Sequence, residues 1–397
     1  MTVFDLKKID SIHIELSNYC NASCPMCPRF FRNSPLLRPD LKLSQISIDQ
    51  FKKFFPEDHL RVFKNFIMCG THGDPGTAKD LYEICEYISS APCTEVTIHT
   101  NGGMRSEEFW FKMGQLFKDK KHWEIVFSID GLEDTNHLYR RGVEWSKLMN
   151  NLTAFTKGGG VAIWEYLIFK HNEHQVDQAR QLSADLGVKE FRPKKALGVF
   201  SGNSLSSLPA VNSNGVIDYV IESPTNPAYR NLENPTGIKH LVPKAYEFTI
   251  QFYKNRKQTV DTYKKNVDNI TDTIYHKMLS EDLKTQDNSL ISCKAIERNE
   301  IFISSDGALL PCCYVGTQYT SGYSKSEDLQ LKHEMNKWGK DKFNLNNHSI
   351  MEILSSGAFD RIFADSWTKK SCGDGKLIVC ANACGENNYL DRIHGKQ

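Results

Sequence analysis

The chain has 397 residues, of which 40% are apolar and 24% charged, and its 49 Lys and Arg nearly balance its 48 Asp and Glu. This composition is typical of a globular protein with room for a large domain and a smaller one. A net charge of +1 indicates no basic surface for nucleic acid, and no apolar run reaches the roughly 18 residues of a membrane span. The first residues lack the apolar core of a secretory signal, so we expect a cytoplasmic protein with reduced thiols.

Short apolar segments alternate with amphipathic ones between residue 11 and about residue 200. The apolar segments predict strands at Ser11–Leu16, Asn65–Cys69, Glu95–Thr100, Glu124–Ile129, Ala162–Phe169 and Val188–Pro193. The amphipathic segments predict helices at Ile48–Phe55, Ala78–Ser89, Glu107–Lys118, Trp145–Thr156 and Glu173–Asp185. Repeated β–α units predict parallel strands joined by right-handed crossovers. Six units predict an α/β fold, a partial (β/α)6 TIM-like barrel, with its chemistry at the carboxyl ends of the strands.

Three cysteines follow the first predicted strand in the spacing C-x3-C-x2-C. They are Cys20, Cys24 and Cys27, and the prolines between and after them predict a loop. Zinc is one candidate for this site, but structural zinc usually has four ligands, and no fourth Cys or His stands at the usual spacing. The other candidate is a four-iron cluster, in which three thiolates leave one iron open to bind a substrate or cosubstrate.

Four short motifs also follow predicted strands. They are G-T-H-G-D-P at 70–75, T-N-G at 100–102, S-I-D-G at 128–131 and R-G at 141–142. Each alone is an ordinary turn sequence. In this order, and after the cysteine loop, they resemble the motifs of the radical S-adenosylmethionine (radical SAM) superfamily across residues 11 to 195. Met26 replaces the usual aromatic residue, and Asp74 replaces a Glu, which leaves the charge unchanged.

The resemblance implies a set of cofactor-binding residues. A [4Fe–4S] cluster would be held by Cys20, Cys24 and Cys27. S-adenosylmethionine would be contacted by Met26, Gly70, Thr71, His72, Gly73, Asp74, Asn101, Ser128, Asp130, Arg141 and Asn172. The motif at 70–75 would receive the amino group of the cosubstrate through backbone carbonyls and the carboxylate of Asp74, and the segment 128–131 would contact the sugar. Arg141 would bind the carboxylate, because a guanidinium pairs a carboxylate in bidentate fashion. No particular residue is expected to act as an acid, a base or a nucleophile.

A second group of cysteines begins at Cys293. The stretch from 292 to 313 predicts two strands around a turn at Asp306-Gly307, with Cys293 before them and Cys312 after them. This pattern resembles the opening of the SPASM and twitch regions, which implies one auxiliary [4Fe–4S] cluster. Its expected ligands are Cys293, Cys312, Cys380 and Cys384, with Cys313 and Cys372 as spares. A structural zinc ribbon is the alternative.

We therefore expect three regions. Residues 1–200 would form the radical SAM core, 201–290 a linker and helical insertion, and 291–397 the auxiliary-cluster domain. The polar stretch 201–215 predicts a linker or mobile loop, and one or two helices are expected within Tyr246–Leu279. Cys85, on an apolar helix face, is expected to fill the core.

The expected function is a radical SAM oxidoreductase or modifying enzyme acting on a small molecule or a peptide. A low-potential donor such as flavodoxin or ferredoxin would reduce it, and neither nucleic acid nor membrane is an expected partner. Because the cysteine loop begins by residue 20, an amino-terminal peptide-recognition domain is not expected, which disfavours a leader-directed peptide substrate. That substrate and a non-enzymatic iron–sulfur or zinc scaffold are the alternatives.

Overall fold

The computed structural model describes residues 3–30, 35–38, 41–91, 95–196, 207–230, 290–320, 326–339 and 341–385. The chain divides into two compact units. The first unit comprises Met1–Ile14, Pro39–Asn65 and Asn255–Gln397, and the second comprises Glu15–Arg38 and Phe66–Lys254.

The first unit begins with strand β1 (Ser11–Ile14), helix α1 (Ile48–Phe54) and helix α2 (Glu57–Leu60). The cap of α1 shows why this helix begins where it does. The Ser47 hydroxyl accepts a hydrogen bond from the Gln50 backbone, and the Gln50 side chain accepts one from the Ser47 backbone. This capping box satisfies backbone N–H groups that the first turn leaves without partners.

The second unit is built on parallel strands. Its strands, in both chain order and sheet order, are β2 (Asn65–Met68), β3 (Glu95–Thr100), β4 (Trp123–Ser128), β5 (Val161–Ile168) and β6 (Glu190–Lys195). The pairs β3–β4, β4–β5 and β5–β6 are parallel. Its helices are α3 (Leu81–Ile88), α4 (Glu107–Phe117), α5 (Asn136–Tyr139), α6 (Trp145–Lys157) and α7 (Val176–Asp185).

Aromatic residues pack the helices onto this sheet, and a glycine lets two of the helices approach each other. Trp110 of α4 contacts Phe127 of β4 and Phe155 of α6, and all three are fully buried. A Cβ atom on Gly114 would stand 2.3 Å from the Phe155 carbonyl oxygen, so only glycine lets α4 approach α6 this closely. The predicted strands and helices are confirmed, with ends that move by a few residues, and so is the α/β fold class. Cys85 is buried, as expected.

The prediction of a linker or mobile loop at 201–215 is wrong at Ser207–Val211, which form a strand. Strand β7 (Ser207–Val211) pairs antiparallel with β8 (Ile217–Glu222). Leu208, Ala210 and Val211 are buried, which stabilises a strand despite the polar residues around it. The turn-rich sequence is the hairpin turn itself, where the Asn212 side chain accepts hydrogen bonds from two backbone N–H groups. The helices expected within Tyr246–Leu279 lie outside the described residues.

The carboxyl-terminal part of the first unit contains the predicted hairpin. Its elements are α8 (Lys294–Glu297), β9 (Glu300–Ile303), β10 (Leu309–Leu310), α9 (Cys313–Thr320), α10 (Ser326–Asn336), α11 (Ile350–Ser355), α12 (Asp365–Trp367) and α13 (Ile378–Cys384). Strands β9 and β10 are antiparallel, and Gly307 has the positive φ of 88° that the turn requires. Strand β1 pairs in parallel with β9, so the strand order in this unit is β10-β9-β1. None of the described helices is long and apolar enough to cross a membrane.

Candidate functional site

The three amino-terminal cysteines lie together in one loop of the second unit. The Cys27 backbone donates to the Cys24 carbonyl at 3.0 Å, and the Ala22 backbone donates to the Cys20 sulfur at 3.3 Å. Burial raises the pKa of all three thiols, that of Cys27 to about 12, and the charge of Cys24 raises the pKa of both neighbours further. The thiols are therefore close enough to repel one another as thiolates, and a bound cation or cluster would relieve that repulsion.

The T-N-G turn after β3 contacts this loop through Asn101. Its side-chain Nδ2 lies 3.7 Å from the Cys20 sulfur and donates to Asn21 Oδ1 at 2.9 Å. The other end of the same amide accepts a hydrogen bond from the Gly103 backbone at 2.8 Å, which fixes the amide orientation. Asn101 therefore holds the cysteine loop to the carboxyl end of β3.

Asp74 is buried between the same two loops. Its Oδ1 accepts hydrogen bonds from the Gly76 backbone at 2.8 Å and the Thr100 hydroxyl at 2.7 Å, and its Oδ2 accepts one from the Asn101 backbone at 2.7 Å. Burial raises the pKa of this carboxyl group and the three donors lower it. The charge of Asp74 also raises the pKa of Cys20, so this carboxylate stands near the thiols.

The loop at 70–75 is tightly folded around glycines. A Cβ atom on Gly73 would lie 2.0 Å from the Ser17 carbonyl oxygen, and one on Gly70 would lie 2.1 Å from the Gly73 carbonyl oxygen. Glu15 holds this loop in place, because its Oε1 accepts hydrogen bonds from the backbone N–H groups of His72 at 2.6 Å and Gly73 at 3.1 Å. Sequence reasoning missed Glu15, although a lone acidic residue at the end of an apolar strand was a visible signal.

Asp130, after β4, is paired with Arg140. Asp130 Oδ2 accepts from Arg140 Nε at 2.6 Å, and Oδ1 accepts from the Leu167 backbone at 2.7 Å. Burial raises the pKa of Asp130, whereas Arg140 lowers it. Burial likewise raises the pKa of Cys24, and the positive charge of Arg140 lowers it. Arg140 thus links the S-I-D-G segment to the cysteine loop.

The neighbouring Arg141, which the motif singled out, makes backbone contacts. Its Nε donates to the Ser23 carbonyl at 2.9 Å, and one terminal nitrogen donates to the Val211 carbonyl at 2.9 Å. Arg141 therefore braces the cysteine loop against the β7–β8 hairpin, whereas Arg140 acts on a thiol. The sequence contained no signal to separate two adjacent arginines, because their directions depend on the backbone between α5 and Gly142.

The other predicted S-adenosylmethionine contacts lie at the ends of the strands in the same unit. Met26, Thr71 and Ser128 are half-buried, and His72 is buried. The Asn172 side chain is engaged with the backbone: Nδ2 donates to the carbonyls of Asp130 and Leu167, and Oδ1 accepts from the Phe169 backbone. Asn172 therefore shapes the loop after β5 while it holds Asp130 in place.

The four preferred auxiliary ligands line one cavity in the first unit. This cavity of about 320 Å³, which includes the space at its mouth, is lined by Cys293, Cys312, Cys380 and Cys384 together with apolar and aromatic side chains. Burial and neighbouring thiols raise the pKa of Cys293 to about 11 and that of Cys380 to about 12. Cys380 and Cys384 are four residues apart on α13 and therefore share a helix face.

Other residues surround this cavity. The indole of Trp367, whose Nε1 atom is buried, opposes the effect of burial on Cys380 by lowering the pKa of that thiol. Tyr314 lines the cavity and is 39% exposed. The two spare cysteines, Cys313 and Cys372, are not among the lining residues, although Cys313 raises the pKa of Cys312 and Cys372 raises that of Cys380.

The donor set fits iron–sulfur clusters at both places. Each set consists of thiols that would be negatively charged neighbours, and thiolates are the ligands that iron–sulfur clusters use. Within the described parts of the chain, no three His, Cys, Asp or Glu side chains converge as the ligands of a single metal ion do.

The comparison with protein families decides the second site. The family model for SPASM, an iron–sulfur cluster-binding domain, matches residues 293–384. We call these residues the SPASM domain after this match. The match begins at Cys293 and ends at Cys384, which are the first and last of the four cysteines lining the cavity. The predicted SPASM-like iron–sulfur region is confirmed, while the assignment of individual ligands stays a prediction.

No curated protein matches the chain. Several solved structures have similar chain traces. Streptococcus suis SuiB is 14% identical over 77% of this chain, which spans 60% of SuiB's length, with a TM-score of 0.41. The anSMEcpe enzyme with bound AdoMet and Cp18Cys peptide is 15% identical over 94% of this chain and 88% of its own, with a TM-score of 0.45. BtrN in complex with AdoMet and 2-DOIA is 12% identical over 94% and 92%, with a TM-score of 0.39.

Proposed function

We propose that this protein is a radical SAM enzyme that cleaves S-adenosylmethionine reductively and abstracts hydrogen from its substrate through the 5′-deoxyadenosyl radical. One observation supports the proposal above the others. The loop with Cys20, Cys24 and Cys27 is contacted by Asn101 and Arg141, from segments that follow two different parallel strands. The convergence of separate loops on three thiols is what a cluster-dependent site at the strand ends requires.

A four-iron cluster on these thiols, with one iron free of protein ligands, would supply the electron and the binding position for S-adenosylmethionine. The chain's own residues would position the cosubstrate. The loop at 70–75, fixed by Glu15, would present backbone carbonyls to the amino group, and Asp74 would add a negative charge. Asp130, oriented by Arg140 and Asn172, would contact the sugar, while the buried loops around the thiols exclude water from the radical.

The SPASM domain would add a second cluster, for which Cys293, Cys312, Cys380 and Cys384 are our proposed ligands. A cluster near the substrate can accept an electron, which suits a net oxidation or a bond-forming modification. The substrate would be a small molecule or a peptide, and a flavodoxin or ferredoxin would supply the first electron.

Anaerobic reconstitution tests the proposal. We expect roughly eight irons per chain, in keeping with two four-iron clusters, and release of 5′-deoxyadenosine after addition of dithionite and S-adenosylmethionine. Cys24→Ala should abolish this release. Cys85→Ala is the matched control, because it removes a buried thiol of α3 that is not among the expected ligands, and it should retain the release.

Two results would contradict the proposal. Iron in the SPASM domain without any cleavage of S-adenosylmethionine would favour a non-enzymatic iron–sulfur scaffold. Zinc bound by the amino-terminal cysteines would exclude the radical mechanism.

A further inference from the structure

Arg29 is a buried cation beside the cysteine loop that the proposed function does not use. Only 6% of its surface is exposed, although it lies two residues after Cys27. One terminal nitrogen donates to the His72 carbonyl at 3.3 Å, and the guanidinium stands over the Phe30 ring at 5.6 Å. Within the described residues, its Nε atom is buried and makes no hydrogen bond. A guanidinium buried in this way is stable only if a negative group compensates its charge.

Arg29 lies within a turn of the cysteine loop, since the Phe30 N–H donates to the Cys27 carbonyl at 3.2 Å. As thiolates on a cluster, the cysteines of that loop would supply the compensating negative charge. Burial lowers the pKa of Arg29, and the effects that oppose it come first from Cys20, then from Cys27 and Glu15. The guanidinium is therefore placed to act on the sulfurs of the cysteine loop.

Glu15 does not neutralise Arg29 as Asp130 neutralises Arg140. Arg140 Nε lies 2.6 Å from Asp130, whereas no carboxylate among the described residues forms an ion pair with Arg29. Oε1 of Glu15 already accepts two backbone hydrogen bonds from the 70–75 loop. More of the positive charge of Arg29 is therefore left to act on the thiolates, in a buried region where charges interact strongly.

We propose that Arg29 raises the reduction potential of the cluster held by Cys20, Cys24 and Cys27, by stabilising the negative charge that the cluster gains with one electron. The inference rests on the proposed function, because it requires that cluster. Arg29 is thus a tuning residue, and it acts without any contact with S-adenosylmethionine. The electron comes from the low-potential donor in the cell and from dithionite in the experiment.

The test is a redox titration of the reconstituted full-length protein, followed by EPR, without S-adenosylmethionine. Subtracting the signal of Cys24→Ala, which should lack the amino-terminal cluster, identifies that cluster. Arg29→Gln should lower the ratio of reduced to oxidised cluster at least about tenfold at a fixed potential, which corresponds to 59 mV for one electron. The auxiliary cluster should keep its potential and serves as an internal reference.

Arg29→Lys is a second variant, which tests the inference even if Arg29→Gln fails to bind the cluster. Lysine keeps a point charge but not the fork of donors, so we expect a smaller fall in potential with full iron content. An unchanged potential in Arg29→Gln would overturn the inference, as would a potential in Arg29→Lys equal to or above that of the parent. Weaker S-adenosylmethionine binding with an unchanged potential would assign Arg29 to the cosubstrate instead and overturn it too. Because the titration contains no S-adenosylmethionine, its outcome is separate from failure of the cleavage reaction.

Discussion

The side-chain amide of Asn101 lies 3.7 Å from the sulfur of Cys20 and donates to Asn21 at 2.9 Å. This contact fixes the first cysteine of the loop to the end of β3. It also joins two separate loops, because Asn101 follows β3 whereas Cys20 belongs to the cysteine loop. The amide holds the loop from outside.

Asn101→Ala should therefore weaken the amino-terminal site without unfolding the protein. We expect the release of 5′-deoxyadenosine to fall roughly tenfold, because the loop loses two donor contacts worth about 0.5–1.5 kcal/mol each. Asn150→Ala is the matched control, since it removes an exposed amide that only bonds Glu107. Equal activities of the two variants would show that Asn101 does not organise the loop.

Removal of only one partner of the Asp130–Arg140 pair should destabilise the protein strongly. Arg140→Met leaves the buried Asp130 without its partner, and we expect a loss of about 3–5 kcal/mol in the free energy of unfolding. The double variant Asp130→Asn with Arg140→Met should recover part of that loss, because no charge then remains buried. Urea denaturation of the parent, the single variants Arg140→Met and Asp130→Asn, and the double variant gives the coupling energy, and additive losses would contradict the pairing.

The proposed ligands of the auxiliary cluster can be tested by the iron content of cysteine variants. Ala substitution of Cys293, Cys312, Cys380 or Cys384 should each remove up to about four irons, the content of one [4Fe–4S] cluster, while Cys313→Ala should retain them. The control is close, because Cys312 and Cys313 are adjacent but only Cys312 lines the cavity. Iron loss in Cys313→Ala but not in Cys312→Ala would reverse the ligand assignment.

Stability without clusters should fall at alkaline pH. Burial raises the pKa of Cys293 to about 11 and that of Cys380 to about 12, from an ordinary value of 9.0, so the folded state keeps protons that the unfolded state releases. The stabilisation is therefore complete below about pH 9 and is lost as pH rises toward 11–12. Urea denaturation of the iron-free protein between pH 7 and 10 measures this slope, and Cys380→Ala should flatten it. If Cys380→Ala leaves the slope unchanged, other groups cause the pH dependence of stability.

The sequence predicted much of this fold because its signals were local. The apolar strands and capped helices were recognisable, and Ser47 marked the start of α1. The β7 strand was missed because its stability comes from burial of Leu208, Ala210 and Val211 rather than from its propensity.

The site was predicted less completely than the fold. Cysteine spacing identified both groups of thiols, because ligand spacing is written directly in the sequence. The roles of Arg140, Arg29 and Glu15 depend on where their side chains point, and spacing carries no information about direction. Arg140 and Arg141 are neighbours in the sequence but have different roles. The charge of Arg140 acts on the Cys24 thiol, whereas Arg141 donates hydrogen bonds to two backbone carbonyl groups.

The two ends of the SPASM domain are joined by backbone hydrogen bonds. The Ser292 N–H donates to the Cys384 carbonyl at 3.0 Å, and Ile291 pairs with Gly385. Because a ribosome makes Ile291 long before Gly385, these two backbone contacts cannot form until α13 has been made. Until then Cys293 and Cys312 lack Cys380 and Cys384, which line the same cavity, so the complete set of four thiols exists only after α13 has folded against the rest of the domain.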